Sequence, residues 1–428
     1  MTILDRPFYF VVVLWGQRFR DYFLDYCLPS LLSPGNLPSL STSAPSTLVI
    51  ATRREDWAVM KTTAIFQEVE RHVIPVMAEI PAYSPEKNVY EHMGTGHKIA
   101  LGMAHRAKAY TMVLTPDCML SDGTISRLQD LARDGIELVL APALRFGEEP
   151  FLEHLDAMGG LRHARRRGSG EPWGVTGRQL VSAAINSLHS ETLSYEWATP
   201  YFVPVAPAAW WRVPGEDGMV VHSLSWAALL LDYAVLIEHD TSTLDSWTLD
   251  GDYLHKNLRR ITNIHIVCDS DEMFLASWGP MDQNRCDPYP LFKIPVVGKM
   301  MRATQFRDSF YGPVFDAFKR RIFFYPVRWH ARPLSAEWER VEQEAARTLG
   351  RWLRPQETIG LKIVLLPFRL MFFVSECWSN RAAMLRRLRQ LLRGDPGVRQ
   401  WVGWRMRAML CRLLGIKFNA PRPTPPPR

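Results

Sequence analysis

An α/β fold built on a doubly wound, mainly parallel sheet is what this sequence predicts, and three observations carry it. Apolar runs too continuous for half-exposed strands recur through the first 145 residues, segments of helical periodicity separate them, and turn-forming or charged residues close each run. With 428 residues the chain exceeds one ordinary core, so a second domain or a large appendage is expected.

The first run, Phe8 to Trp15 (FYFVVVLW), predicts a central strand ended by Gly16. The stretch RFRDYFLDYCLPSLL repeats apolar residues at Phe19, Phe23, Cys27 and Leu31, the spacing of a crossover helix that closes near Pro34-Gly35. Leu48 to Thr52 is the second strand, Arg53-Arg54-Glu55-Asp56 caps a helix through Trp57 and Phe66, and Val73 to Ile80 is a third short strand. Then comes His97 to Gly123: a helix carrying Ile99, Leu101, Met103 and Ala104 feeds the strand Tyr110 to Leu114. Pro116 removes a backbone donor, so the ladder ends there and Asp117 passes to a loop, where α/β sheets put their chemistry. Ile125, Leu128 and Leu131 resume a helix before another strand, Ile136 to Ala141.

Beyond this the chain changes character. Phe151 to Arg178, with Arg165-Arg166-Arg167 among glycines, predicts a mobile surface loop. Tyr201 to Val205 and Trp210 to Val213 predict strands with aromatic faces; Gly218 to Ser223 leads into apolar Leu224 to Tyr233, and Ala234 to Ile237 is strand-like. Ile264 to Asp269 predicts an apolar strand. Ile359 to Ser375 is strongly apolar but short, and Lys362, Pro367 and Arg369 make it a poor spanning helix. Arg381 to Leu392 and Trp401 to Leu414 set leucines against arginines, as helices lying in a membrane interface do, although such helices also dock on a protein body with their arginines in water. The last eight residues, PRPTPPPR, form a proline-rich tail.

Charge and cysteines narrow the function classes. The net charge of +7 concentrates after about residue 380, which suits an anionic membrane or, as a third reading, nucleic acid. Six cysteines are scattered without a CxxC pair, which argues against a zinc ribbon and a disulfide framework. No Walker sequence or GxGxxG stands behind a nucleotide triphosphatase or a Rossmann dehydrogenase. The N-terminus lacks the pattern of a signal peptide, so a cytoplasmic chain is expected, and the basic C-terminal helices add an expected peripheral attachment to the inner face of the plasma membrane.

Lys98, Ala100, Ala104 and Ala107, followed by Val113-Leu114-Thr115-Pro116-Asp117, resemble the nucleotide-sugar glycosyltransferases of the GT-A fold over roughly the first half of the chain. In that family a Lys, small residues, a helix and an apolar strand end in Asp-x-Asp. Here Thr115 stands at the first acid, and Asp117 matches the last, which in the family binds the divalent metal, Mn2+ or Mg2+, on the donor diphosphate. Read from the residues alone, an Asp after a strand serves equally as a turn former or helix cap. The resemblance implies a catalytic domain over 1–290, with a nucleotide-binding half (1–145) and an acceptor half (146–290), then a basic helical region over 291–420 and the tail 421–428. It also implies base and ribose contacts from Trp15, Gly16, Thr52 and Arg53, donor contacts from Lys98 and Thr115, and a place near the metal for His222 or His239.

Two acidic clusters follow. Asp250 and Asp252 flank Gly251 and are candidates for the general base that an inverting transfer needs. Asp269 and Asp271 make a literal Asp-x-Asp at a strand end and are the alternative metal ligands, ranked behind Asp117 because they follow the presumed acceptor region. The leading expectation is a metal-dependent transferase moving a sugar from a nucleotide diphosphate to a glycan or glycolipid acceptor. Its alternative is a non-catalytic protein that keeps a GT-A-like fold to bind a membrane or partner, which Thr115 favours.

Overall fold

A computed structural model describes residues 4–84, 88–158, 288, 294–311, 317–353, 359–379, 403, 404 and 407, together with 174–283 apart from 202, 204, 237, 246, 247, 250 and 258–260. In chain order the strands are β1 (Phe8–Val13), β2 (Thr47–Thr52), β3 (Ile74–Glu79), β4 (Tyr110–Leu114), β5 (Cys118–Leu120), β6 (Leu138–Pro142), β7 (Arg145–Gly147), β8 (Ala208–Arg212), β9 (Gly218–Ser223), β10 (Trp226–Asp232), β11 (Ile264–Ile266), β12 (Leu275–Gly279) and β13 (Val327–His330).

The main sheet has seven strands in the order β11-β6-β10-β4-β1-β2-β3. All run parallel except β10, which is antiparallel to both β4 and β6. The expected doubly wound, mainly parallel α/β architecture is therefore present. Period-2 alternation assigns the two faces of β1. Phe8, Phe10 and Val12 pack with Leu24, Leu28 and Leu128 on one side, while Val11 and Val13 pack with Ala100, Leu101 and Ala104 on the other. Each fully buried Phe there contributes about 1.5–3 kcal/mol.

Two smaller three-stranded sheets, β5-β12-β7 and β13-β9-β8, accompany the main sheet. Between them sits an aromatic core containing Phe146, Phe151, Trp210, Trp278, Trp329 and Trp338. β13 lies beyond the expected boundary at residue 290, yet it pairs with β9, and Trp338 and Val341 of the helix Ala336–Trp352 enter the same core. The helix Ile359–Ser379 packs on Pro295–Tyr311.

Several local expectations are corrected. Ala234 to Val235 is not a strand: the Asp232 carboxylate accepts the Ala234 N–H at 2.8 Å and starts a 3-10 turn, Tyr233–Val235, that takes the chain out of the sheet. Phe151 is helical, within Glu148–Ala157, because Phe151 and Leu155 recur one helical turn apart and are both buried. Gly177–Ile185 is a helix begun by a Thr176/Gln179 capping box. Tyr201 makes a bridge to Pro288 instead of opening a strand. The basic run at 165–167, most of the 381–414 segment and the 421–428 tail lie outside the described residues.

Candidate functional site

In the main sheet β2 and β3 extend from one flank of β1, and β4 lies on the other. That reversal of winding makes a switch point at β1 and β4, and open α/β sheets bind ligands outside the carboxyl ends of the strands at such a point. Gly16 follows β1, Arg53 follows β2, and Thr115-Pro116-Asp117 follow β4. Gly16 has φ +80°, a conformation that disfavours any side chain, and its N–H donates to Asp56 Oδ2 at 2.9 Å. Arg20 donates to Asp56 Oδ1 at 2.9 Å, and Arg53 reaches Oδ2 at 3.4 Å. Asp56 is thus a buried clamp joining the loops after β1 and β2, a role beyond the helix cap its sequence suggested. Trp15 stacks near Tyr83, centroids 6.1 Å apart, and meets His92 edge-on at 4.6 Å, which leaves an aromatic wall at the switch point. Thr52 is fully buried, and Lys98 pairs with Asp245 at 2.5 Å.

Asp117 occupies the tight turn between β4 and β5, its carbonyl accepting the Trp278 N–H at 3.3 Å. Burial pushes its carboxyl above the usual carboxylate range, against the pull of the Thr115 hydroxyl hydrogen bond and the Arg145 charge. The Glu148 charge reinforces the upward shift. Glu148 itself accepts from Arg18 at 2.5 Å and from the Tyr22 hydroxyl. Tyr22 is pushed up to about 12, first by burial and then by that carboxylate. Two acids, Asp117 and Glu148, therefore share this end of the sheet with Arg18, Arg145 and a phenol. The pairing of Glu148 with Tyr22 and Arg18 was not legible in the sequence, since 126 and 130 residues separate the partners.

A second acid cluster stands on the same rim. β11 and β4 are three strand positions apart, so the loop after β11 lies about 14 Å along the sheet from the loop after β4. There Asp269, Asp271 and His330 bring one ligand atom each to within 4.8 Å of one another. Among the described residues this is the one group of three or more such side chains able to hold a metal ion. His330 arrives on β13, which lies against the loop after β11 through Arg328 N–H to Cys268 O (2.8 Å) and Ser270 N–H to Arg328 O (2.9 Å). Nδ1 of His330 donates to the Arg332 carbonyl at 2.7 Å and Nε2 donates to Asp269 Oδ1 at 2.8 Å, so the ring bonds both as an imidazolium, and a metal ion would take the place of the Nε2 proton. Sequence reading found both aspartates and missed the histidine.

The donor set fits a cation, and it is also charge-balanced without one. Arg178 grips Asp271 with contacts of 2.6, 2.9 and 3.2 Å and holds that carboxyl below the usual range. For Asp269 burial pushes upward, but the His330 hydrogen bond and the Asp271 N–H more than offset it, so its carboxyl is also low. Burial likewise opposes the charge on His330, and Asp269 and the Arg332 carbonyl overcome it, so that imidazole is raised. A divalent ion here would compete with Arg178 for Asp271 and with the Nε2 proton of His330 for Asp269.

The remaining expected site residues are placed as follows. His222 is buried with Nδ1 donating to Phe323 O at 3.0 Å, and burial lowers it to about 4. His239 contacts the Tyr253 hydroxyl at 2.7 Å and is also lowered to about 4, chiefly by burial. Neither belongs to the metal-capable group. Asp250 lies outside the described residues, and Asp252 falls within the helix Gly251–Asn257, its side chain outside them too. Neither the family models nor the curated proteins contain a match to this chain.

Proposed function

We propose that this chain is a metal-dependent glycosyltransferase whose nucleotide-diphosphate sugar lies in the crevice at the carboxyl ends of β1, β2 and β4, with a glycan or glycolipid as acceptor. The observation that carries this reading is Asp117, a half-buried acid at the switch point, flanked by the charges of Arg145 and Glu148. In this reading Trp15 offers a ring face to the base. The Gly16 loop, fixed by Asp56, lets the protein backbone approach the donor closely, and Arg18 and Arg145 balance the diphosphate charge. Asp117 would hold a cation, Mn2+ or Mg2+, together with the donor's own phosphates, and the ion would supply charge neutralisation at the leaving diphosphate.

The triad of Asp269, Asp271 and His330 is the second place for the ion, and its two oxygens and one nitrogen suit Mn2+ better than the oxygen-only preference of Mg2+. A non-catalytic donor-binding protein is the second functional reading, favoured by Thr115, whose hydroxyl bonds to Asp117 where the resemblance expects another acid.

A panel of nucleotide sugars, titrated calorimetrically with and without Mn2+ and followed for release of the nucleotide diphosphate, tests these readings. Metal-dependent binding with turnover supports the transferase. Binding without turnover, for any donor and a mixed acceptor panel, selects the second reading, and no binding overturns both.

A further inference from the structure

The helix Ile359–Ser379 carries an apolar face that nothing among the described residues covers. Ile363, Pro367, Leu370 and Val374 are all exposed, Ile363 by 65% and Val374 by 62%. At about 100° per residue these four positions fall within roughly 60° of one another around the axis, a continuous strip about 16 Å long. The opposite side is tied to the body. Leu365 is buried, and Arg369 makes an ion pair with Asp308 on the helix Pro295–Tyr311, with its guanidinium Nη2 2.8 Å from the carboxylate. The strip is therefore presented outward by an anchored helix.

We propose that this face lies in the interface of an anionic lipid bilayer, with the helix parallel to the membrane plane. No helix of the described residues is long and apolar enough to cross a membrane, which suits a helix lying in the interface. The choice of lipid over a protein partner comes from charge complementarity. The residues that follow directly, 380–414, carry nine arginines against one acid, Asp395, an excess that anionic headgroups attract. Apolar insertion and headgroup attraction then act on neighbouring segments, and two such signals are what stable peripheral attachment takes. The inference is independent of the donor-site reading.

The test is flotation of the full chain with phosphatidylcholine vesicles, with or without 30% phosphatidylglycerol, over a salt series. Wild type is expected to float with the anionic vesicles, keeping a salt-resistant fraction. The double variant Ile363→Glu/Val374→Glu is expected to lose vesicle partition by about tenfold or more. Val59→Glu, an equally drastic change at an exposed apolar site on the helix Arg54–Lys61, is expected to leave it unchanged. Hydrogen exchange of wild type should show slowed exchange in 359–379 peptides only with anionic vesicles, a readout that does not depend on a variant folding. Flotation of the double variant equal to wild type, unchanged exchange, or a wild-type dimer that the double variant dissolves would each overturn the proposal, the last by assigning the face to a second copy.

Discussion

Two acid clusters share one rim of the sheet and are built in opposite ways. At Asp117 a single carboxylate sits in a turn forced by Pro116, raised by burial, with the cationic Arg145 of β7 and the acidic Glu148 of the following helix as neighbours. At Asp269 and Asp271 the literal Asp-x-Asp is saturated: Arg178 and His330 already neutralise both carboxylates. The motif that looks more like a metal site in the sequence is the one the fold has paired, and the lone acid is the one left with its charge poorly solvated. A half-buried acid raised by burial at the switch point is a better functional candidate than a balanced ion-pair network, and the three converging ligand atoms are the alternative place for the ion.

The comparison breaks first at Asp117. Asp117→Asn is expected to lower metal-dependent transfer by about 10²–10³-fold, the scale of losing one charge-stabilising group, while the unfolding midpoint stays close to wild type. Full turnover in the Asn variant would move the chemistry to the other cluster. His330→Ala is expected to weaken Mn2+ binding at the triad by about tenfold or more, and Arg178→Ala to strengthen it by freeing Asp271. Calorimetry on both variants decides the point: if neither alters Mn2+ affinity and both lower the unfolding midpoint, the triad is an ion-pair network.

A backbone lesion sharpens the contrast further. A Cβ at Gly177 would stand 2.4 Å from the Ser270 carbonyl, so Gly177→Ala must push the helix Gly177–Ile185 off the triad loop. A loss of about 1–3 kcal/mol in denaturant unfolding is expected, with donor binding at the Asp117 crevice retained. Loss of donor binding in this variant would show the two clusters to be one coupled site.

The last expected effect, spread over a pH range, is acid sensitivity. His97 and His222 are both lowered to about 4 by burial. A lowered imidazole makes the folded state bind fewer protons than the unfolded one. Stability is therefore expected to fall as pH drops below about 6.5, by about 1 kcal/mol per histidine between pH 7 and 5.5, and to go on falling until about 4. Denaturant titrations at a series of pH values measure this. A stability that holds from pH 7 to 5 would show that these imidazoles are solvated.

The sequence by itself determined the central strands, their order of appearance, and the release of Asp117 from β4. The reason is local: continuous apolar runs need burial on both faces, and Pro116 cannot donate to a ladder wherever it falls in the fold. It also marked Asp269 and Asp271, because adjacency in sequence is adjacency in a loop. What only the tertiary structure decided was direction and partnership. The apolar run Leu224 to Tyr233 reads alike in either direction, and only the ladder with Thr111 and Leu138 shows β10 running against its neighbours. His330 joins Asp269 across 61 residues because β13 pairs with β9 and then lies beside the loop after β11. Asp56, Glu148 and Arg178 likewise take their partners from elements whose sequence spacing carries no trace of the contact. A period of two or of 3.6 states which face of an element is buried; which other element buries it is set by strand register and packing across the whole chain.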